Sequence, residues 1–233
     1  MNVQTPFINE GLQAPRVRET LQRLHRAARG DALVFLRGLP DALAAKARGK
    51  SLFDGFEPHM KNAFIQISHG AGEAIYNTAR AIDAKRIVEF GTSFGVSTIY
   101  LACAVRDNGG GKVIGSELQS TKVKQARQNI ASAGLESLVE VREGDAMKTL
   151  ADIEAPIDLV LLDGWKDLYI PVLKMLTPKL RRGSAVFADN IHTFRKALRP
   201  YVAHMRDTRN GFVTTTLSVG SGLEYSVYVG PEN

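Results

Sequence analysis

The sequence is short of several things, and each shortage removes a class of protein. It holds 1 Cys in 233 residues. An internal disulfide is therefore excluded, and a reducing, cytoplasmic location is expected. No apolar run approaches the ~20 residues of a membrane helix, so no membrane span or membrane partner is expected. The opening stretch MNVQTPFINEGLQAPR lacks a basic start followed by an apolar segment, so no secretory leader is expected. Aromatic residues are 7% of the chain and do not interleave with a basic stripe, so nucleic acid is not an expected partner. Among the 5 His no pair has metal-ligand spacing, which speaks against zinc. The charge excess is mild, 30 Lys+Arg against 24 Asp+Glu. Its densest tract, Lys179 to Arg209, reads as a solvated helix face before it reads as an anion-binding surface.

What remains is the composition of a soluble, core-forming chain of about one large domain, 44% hydrophobic and 23% charged. Residues 15–50 have helical periodicity: Val17, Leu21, Leu24 and Ala28, a break at Gly30-Asp31, then an apolar run from Ala32 to Leu39. Gly38 and Pro40 punctuate that run, and Asp41 reads as the N-cap of a further short helix. Residues 49–57 read as a loop, and Gly72 to Ile82 as a helix. From residue 86 the texture changes to strand–helix alternation. Strands are expected at 86–90, 112–117, 138–142, 158–163 and 184–189, and helices at 96–105, 120–133, 166–177 and 192–207. Two closing strands, 211–217 and 223–229, flank Gly220-Ser-Gly and should form a hairpin. This is the pattern of a doubly wound, mostly parallel α/β sheet of seven strands with a C-terminal antiparallel hairpin and N-terminal capping helices. Residues 1–60 are taken as the helical cap and 61–233 as the ligand-binding domain of one structural unit.

In such a sheet, ligands lie beyond the carboxyl ends of the strands. Those ends carry Glu89-Phe-Gly91, Glu117, Asp145, Asp163 and Asp189-Asn190. Carboxylates crowded on one rim repel unless a cation or ligand hydroxyls separate them. Gly91-Thr-Ser-Phe-Gly95 permits a sharp turn and close backbone approach to a ligand, although the spacing is not that of a dinucleotide site. Glu117 is placed to accept from a ribose and Asp145 from an adenine amine. The set suits a nucleoside without a pyrophosphate, such as S-adenosylmethionine. Taken singly, Asp163, Asp189 and Asn190 read as helix N-caps, Lys166 as a solvated lysine, Trp165 as packing and Cys103 as a small buried residue.

From about residue 65 to 230 the chain resembles the class I S-adenosylmethionine-dependent methyltransferases, and among them the metal-dependent, catechol O-methyltransferase-like small-molecule enzymes. The stretches that carry the likeness are VEFGTSFGVSTIYLA (88–102), GSELQ (115–119), DLVLLDGWKDLY (158–169), ADNI (188–191) and GLEYSVYVGP (222–231). The resemblance implies a cofactor, S-adenosylmethionine, contacted by the Ile67 backbone, Glu89, Gly91 and Ser97, with its ribose at Glu117 beside Leu118. It implies adenine near Asp145 and Ala146 with Trp165 packed nearby. It also implies Mg²⁺ or another divalent cation on Asp163, Asp189 and Asn190, with Asp163 bordering the cofactor too, and Lys166 as catalytic base. Two carboxylates and an amide oxygen are hard donors suited to Mg²⁺. A cation beside Lys166 would lower its pKa, so that the neutral amine can accept a proton.

The chain departs from the catechol type in having no acidic residue between Asp207 and Glu224, and in reading IHTFRKALRP after Asp-Asn. Both features speak against catechol itself. The polar, basic rim of Thr193, Arg195, Lys196 and Arg199 would suit an acceptor with a carboxylate or phosphate. The expected function is O-methyl transfer to a small phenol- or diol-like molecule, with a homodimer as one expected assembly. Three alternatives stay open: an RNA or protein acceptor, a non-catalytic domain that binds the cofactor, and a nicotinamide-dependent reductase.

Overall fold

A computed structural model describes residues 11–28, 32–49 and 66–231. Seven strands form one sheet: β1 (Arg86–Phe90), β2 (Lys112–Glu117), β3 (Val139–Glu143), β4 (Ile157–Leu162), β5 (Leu180–Ala188), β6 (Phe212–Leu217) and β7 (Leu223–Tyr228). Their order is β3-β2-β1-β4-β5-β7-β6. β1 to β5 run parallel, and β7 lies antiparallel to both β5 and β6. The hairpin read from the Gly-Ser-Gly turn is present. Its strands enter the sheet through β7, which leaves β6 at the edge.

The strands alternate between two cores, as the pleat requires. Ile87, Leu159, Leu161, Ala185 and Phe187 face one helical layer, and Val88, Phe90, Val160, Leu162, Val186 and Ala188 face the other. The first layer contains α1 (Pro15–Ala28), α3 (His69–Ala81), α4 (Val96–Asp107) and α5 (Ser120–Ser132). The second contains α6 (Ala146–Thr149), α7 (Tyr169–Leu176) and α8 (Arg195–Arg206). Ten consecutive residues of α4, Val96 to Val105, are buried, because α3 covers it outwardly while the sheet covers it inwardly. A Cβ at Gly72 would lie 2.5 Å from the Tyr100 ring, so α3 can approach α4 this closely only with glycine there. Ser68 caps α3 through Ala71 N, a contact worth about 1 kcal/mol. Val17, Leu21 and Leu24 place α1 in the same core.

Some boundaries differ from those read in the sequence. α2 (Ala32–Ala47) continues through Pro40, so Asp41 is inside a helix and not its N-cap. Proline forfeits one backbone bond there, yet its φ suits a helix, and the alanine-rich segment after it favours continuation. The expected helix over 166–177 opens as a 3-10 turn, Lys166–Leu168, before α7. The helix expected from 192 starts at Arg195, after a turn. Beyond Gly49, the loop read over 49–57 falls outside the described residues, as do the side chains of Leu33, Val34, Phe35 and Leu36. No helix among the described residues is long and apolar enough to cross a membrane.

Candidate active site

Strand register aligns the candidate residues. Phe90 is paired with Ser116 on one side and with Leu162 on the other, and Leu162 is paired with Ala188. The next residue of each strand is therefore Glu117, Gly91, Asp163 and Asp189, side by side along the rim where strand order reverses between β1 and β4. Asp163 N donates to Phe90 O (2.8 Å) and Asp189 N to Leu162 O (3.1 Å), which holds the row in place.

The β1–β2 end is built mainly from backbone. Gly91 has φ +96°, and a Cβ there would lie 2.6 Å from Gly164 N. The close approach this glycine permits is thus to the chain leaving β4. Ser93, at φ +48°, donates its N–H to Glu117 Oε2 (2.9 Å), and Gln119 N donates to Oε1 (3.0 Å). Both carboxylate oxygens of Glu117 are anchored this way and keep spare lone pairs toward the rim. Beneath the turn lies Glu89, fully buried, whose Oε2 accepts from Thr92 Oγ1 (3.1 Å) and Thr98 Oγ1 (2.5 Å). Burial pushes its pKa up, and the hydroxyls of Ser97, Thr98 and Thr92 offset that only partly. Among the described residues, Glu89 Oε1 and Ser93 Oγ are buried without a hydrogen-bond partner. Leu118 and Trp165 are exposed, 71% and 47%. Asp145 caps α6 by accepting from Met147 N (2.9 Å), with Ala146 buried behind it. Ile67 is buried in the α3–α4 core.

The β4–β5 end is built from charge. Lys166 Nζ lies 2.5 Å from Asn190 Oδ1, 3.6 Å from Asp163 Oδ1 and 2.9 Å from Tyr169 Oη. The rings of Tyr169 and Phe194 flank it, their centroids 5.0 and 5.4 Å from Nζ. Asn190, at φ +70°, donates from Nδ2 to Asp189 Oδ2 (3.2 Å) and to Ser221 Oγ (2.9 Å). Ser221 Oγ in turn donates to Asp189 Oδ1 (2.8 Å), and Tyr169 donates to Asp189 O (3.2 Å). Burial, reinforced by Asp189, lifts the Asp163 pKa well above the usual carboxylate range against the pull of Lys166. Burial also raises Asp189, opposed by the Asn190 N–H and Ser221. Burial lowers Lys166, although Asp163 and Asp189 both favour its charged form.

The structure thus brings Asp163, Lys166, Asp189 and Asn190 together. The helix-cap reading of the two carboxylates and the amide fails. The residues at the helix starts are Trp165, Leu168 and Phe194. Sequence reading gave no role to Tyr169, Ser221, Ser93 or Lys122. Tyr169 closes the run DLVLLDGWKDLY, and Ser221 is in the Gly-Ser-Gly turn, so both had a local signal. Lys122, 9% exposed with Nζ 5.5 Å from the Phe94 centroid, had none. Burial lowers its pKa, against the pull of Glu117 and Asp163.

A reversed-order sheet, a glycine turn after β1 and an acid ending β2 define the class I methyltransferase architecture. A family model described as a methyltransferase domain matches residues 88–191. Catechol O-methyltransferase B of Danio rerio is 30% identical over 90% of this chain and 79% of its own length. Catechol O-methyltransferase of Mycobacterium tuberculosis is 34% identical over 54% of this chain, and the match spans 57% of that relative. An O-methyltransferase of tomaymycin synthesis from Streptomyces achromogenes, solved in complex with SAM, superposes with a TM-score of 0.64. It is 26% identical over 71% of this chain and 82% of its own. The chain belongs to the class I S-adenosylmethionine-dependent O-methyltransferases, in the family of the catechol O-methyltransferases.

Proposed function

We propose that this protein transfers the methyl group of S-adenosylmethionine to a hydroxyl oxygen of a small phenol- or diol-like acceptor, with Mg²⁺ or another divalent cation in the site. The observation that carries this reading is the convergence around Lys166, whose Nζ reaches Asn190 Oδ1 at 2.5 Å and Asp163 Oδ1 at 3.6 Å beside the buried Asp189.

The residues fit the groups they would hold. Two buried carboxylates with raised pKa values are short of positive charge, and with an amide oxygen they make the hard donor set that Mg²⁺ prefers. Asp163, Asp189 and Asn190 would hold the cation. When bound there, a divalent cation supplies charge that favours deprotonation of an acceptor hydroxyl. On the donor side, Glu89 Oε1 and Ser93 Oγ have no hydrogen-bond partner among the described residues, Glu117 is held by two backbone N–H groups, and Leu118 and Trp165 are exposed, so these residues have capacity left for a ligand.

Lys166 would accept the proton, a role that burial supports by lowering its pKa against the opposing pull of Asp163 and Asp189. Tyr169 and Phe194 flank Nζ, and Tyr169 also fixes it through Oη. When bound, S-adenosylmethionine would supply an electrophilic methyl group, which would pass to the acceptor oxygen as the methyl–sulfur bond breaks and the electron pair stays on sulfur as a neutral thioether. Positioning and charge placement are the protein's main contributions.

The experiment is methyl transfer from labelled donor across a panel of phenols and catechols, with Mg²⁺ and with chelator. Transfer that requires Mg²⁺ is expected. An undiminished rate in chelator removes the cation from the reaction. Donor binding by calorimetry with no transfer to any acceptor would favour a binding module.

A further inference from the structure

We propose that the methyl acceptor carries an anionic group, a carboxylate or a phosphate, which Arg195 and Arg199 bind in a groove leading away from the candidate site. The inference rests on the methyltransferase reading above and narrows its substrate class.

A groove of about 600 Å³ is lined by Ile191, His192, Arg195, Arg199, Arg206 and Thr216, among others. Its lining includes Ile191, the residue after Asn190, and Phe194, one residue before Arg195, stands 5.4 Å from Lys166 Nζ. Along α8 the steps from 195 to 199 and from 199 to 206 rotate by about 40° and about 20° in opposite senses, so the three guanidiniums share one face. The helical rise puts Arg195 and Arg199 about 6 Å apart, close enough for both to hold one carboxylate or phosphate.

Charge accounting separates these two from the third. Arg206 is already engaged, with Nη2 3.0 Å from Thr216 Oγ1 and Nε 3.8 Å from Glu224 Oε1. Glu224 is fully buried and also accepts from Thr214 and Thr216. No carboxylate among the described residues forms an ion pair with Arg195 or Arg199. Their location is locally unfavourable as well. Arg195, Lys196 and Arg199 fall at the N-terminal end of α8, whose first turn has no acidic residue. Cations there oppose the helix dipole and repel one another. A local rule broken without internal compensation marks a functional position, and an anion in the groove relieves both costs. Guanidinium forks suit carboxylate and phosphate oxygens in particular.

The test compares three acceptors: catechol, its ring-carboxylated analogue protocatechuate, and a catechol with a phosphomonoester on a short alkyl arm. The kcat/KM ratio of the preferred anionic acceptor to catechol should be about tenfold. It should fall to near unity in the Arg195→Ala/Arg199→Ala double variant and below unity in Arg195→Glu/Arg199→Glu. Arg195→Lys/Arg199→Lys should retain part of it. The relative rates of the two anionic acceptors decide between carboxylate and phosphate.

Equal kcat/KM for neutral and anionic acceptors, or a preference indifferent to the arginine variants, overturns the proposal while leaving the methyltransferase reading intact. If no acceptor turns over, calorimetry of protocatechuate against catechol on wild type and the Ala double variant still decides it. A wild-type preference for protocatechuate that the variant loses supports the groove, and equal binding overturns it. Salt-dependent binding of an RNA oligonucleotide that the same variants abolish would reassign the groove and also overturn the proposal.

Discussion

β4 carries two aspartates, Asp158 in its first turn of pleat and Asp163 just past its end, and their surroundings are opposite. Asp158 Oδ2 accepts from Lys85 N (2.8 Å) and Arg86 N (2.9 Å), and Oδ1 accepts from Arg181 Nε (2.6 Å). Burial alone would raise its pKa, but these donors outweigh burial and hold it below the ordinary value. Asp163 is buried too, yet it faces a second carboxylate, Asp189, and has Lys166 at 3.6 Å, so its pKa rises. A carboxylate that serves the fold is saturated with donors. One kept for a ligand is left short of them, and the shortage is the structural sign of a site.

The largest expected effect is on rate. Lys166→Ala should lower methyl transfer by roughly 10²–10⁴-fold, the usual worth of a positioned base, and Asp163→Asn should cost at least about a hundredfold. Lys166→Ala also removes the cation that faces Asp163 and Asp189, so it should lower the urea unfolding free energy measured without metal as well. Asp163→Asn should raise it, because one of two repelling buried carboxylates is gone. Asp158→Asn should behave in reverse, losing about 2 kcal/mol of stability as charged acceptors are withdrawn from three donors, with the rate per folded molecule retained. If Asp163→Asn instead unfolded the protein while Asp158→Asn silenced it, the two ends of β4 would have to exchange roles.

The next effect is a pH dependence. Because the folded pKa of Asp158 lies below its unfolded value, its contribution is fully present above the unfolded pKa, near about 3.9. It is lost as pH falls through the folded value. The stability gap between wild type and Asp158→Asn should therefore stay constant from pH 7 to about pH 5 and close below about pH 4. Urea titrations at three pH values measure it, and a gap that widens in acid would show that Asp158 is not held as a carboxylate.

This contrast was only partly legible in the sequence. β1 and β2 were readable to the residue, because Arg86–Phe90 and Lys112–Glu117 are short apolar runs with charged or glycine boundaries. The rim row was readable because each strand end is a local pattern and parallel register does the rest. Asp158 was invisible as a clamp, since its donors come from residues 85, 86 and 181, which no spacing rule connects to it. Gly91 was legible as part of a sharp turn, whereas the Gly164 backbone that crowds it is a neighbour set by strand order. α2 passed through a proline that local rules treat as a stop.

The smallest expected effect tests whether a turn outside the parallel sheet belongs to the site. Ser221, between Gly220 and Gly222, accepts from Asn190 Nδ2 and donates to Asp189 Oδ1, so one hydroxyl orients both residues. It also supplies one of the forces that keep the Asp189 pKa from rising further. Ser221→Ala leaves the flanking glycines and their positive φ angles untouched, so it should cost at most about 1 kcal/mol of stability. Freed from the hydroxyl, Asn190 can rotate its amide and Asp189 gains proton affinity, and each change weakens a cation site. Loss of such an outer partner lowers metal affinity by roughly tenfold or more. The Mg²⁺ concentration for half-maximal activity should rise by that factor, while the acceptor KM at saturating Mg²⁺ should move little. An unchanged Mg²⁺ requirement would confine the serine to the hairpin, and the site would end at β5.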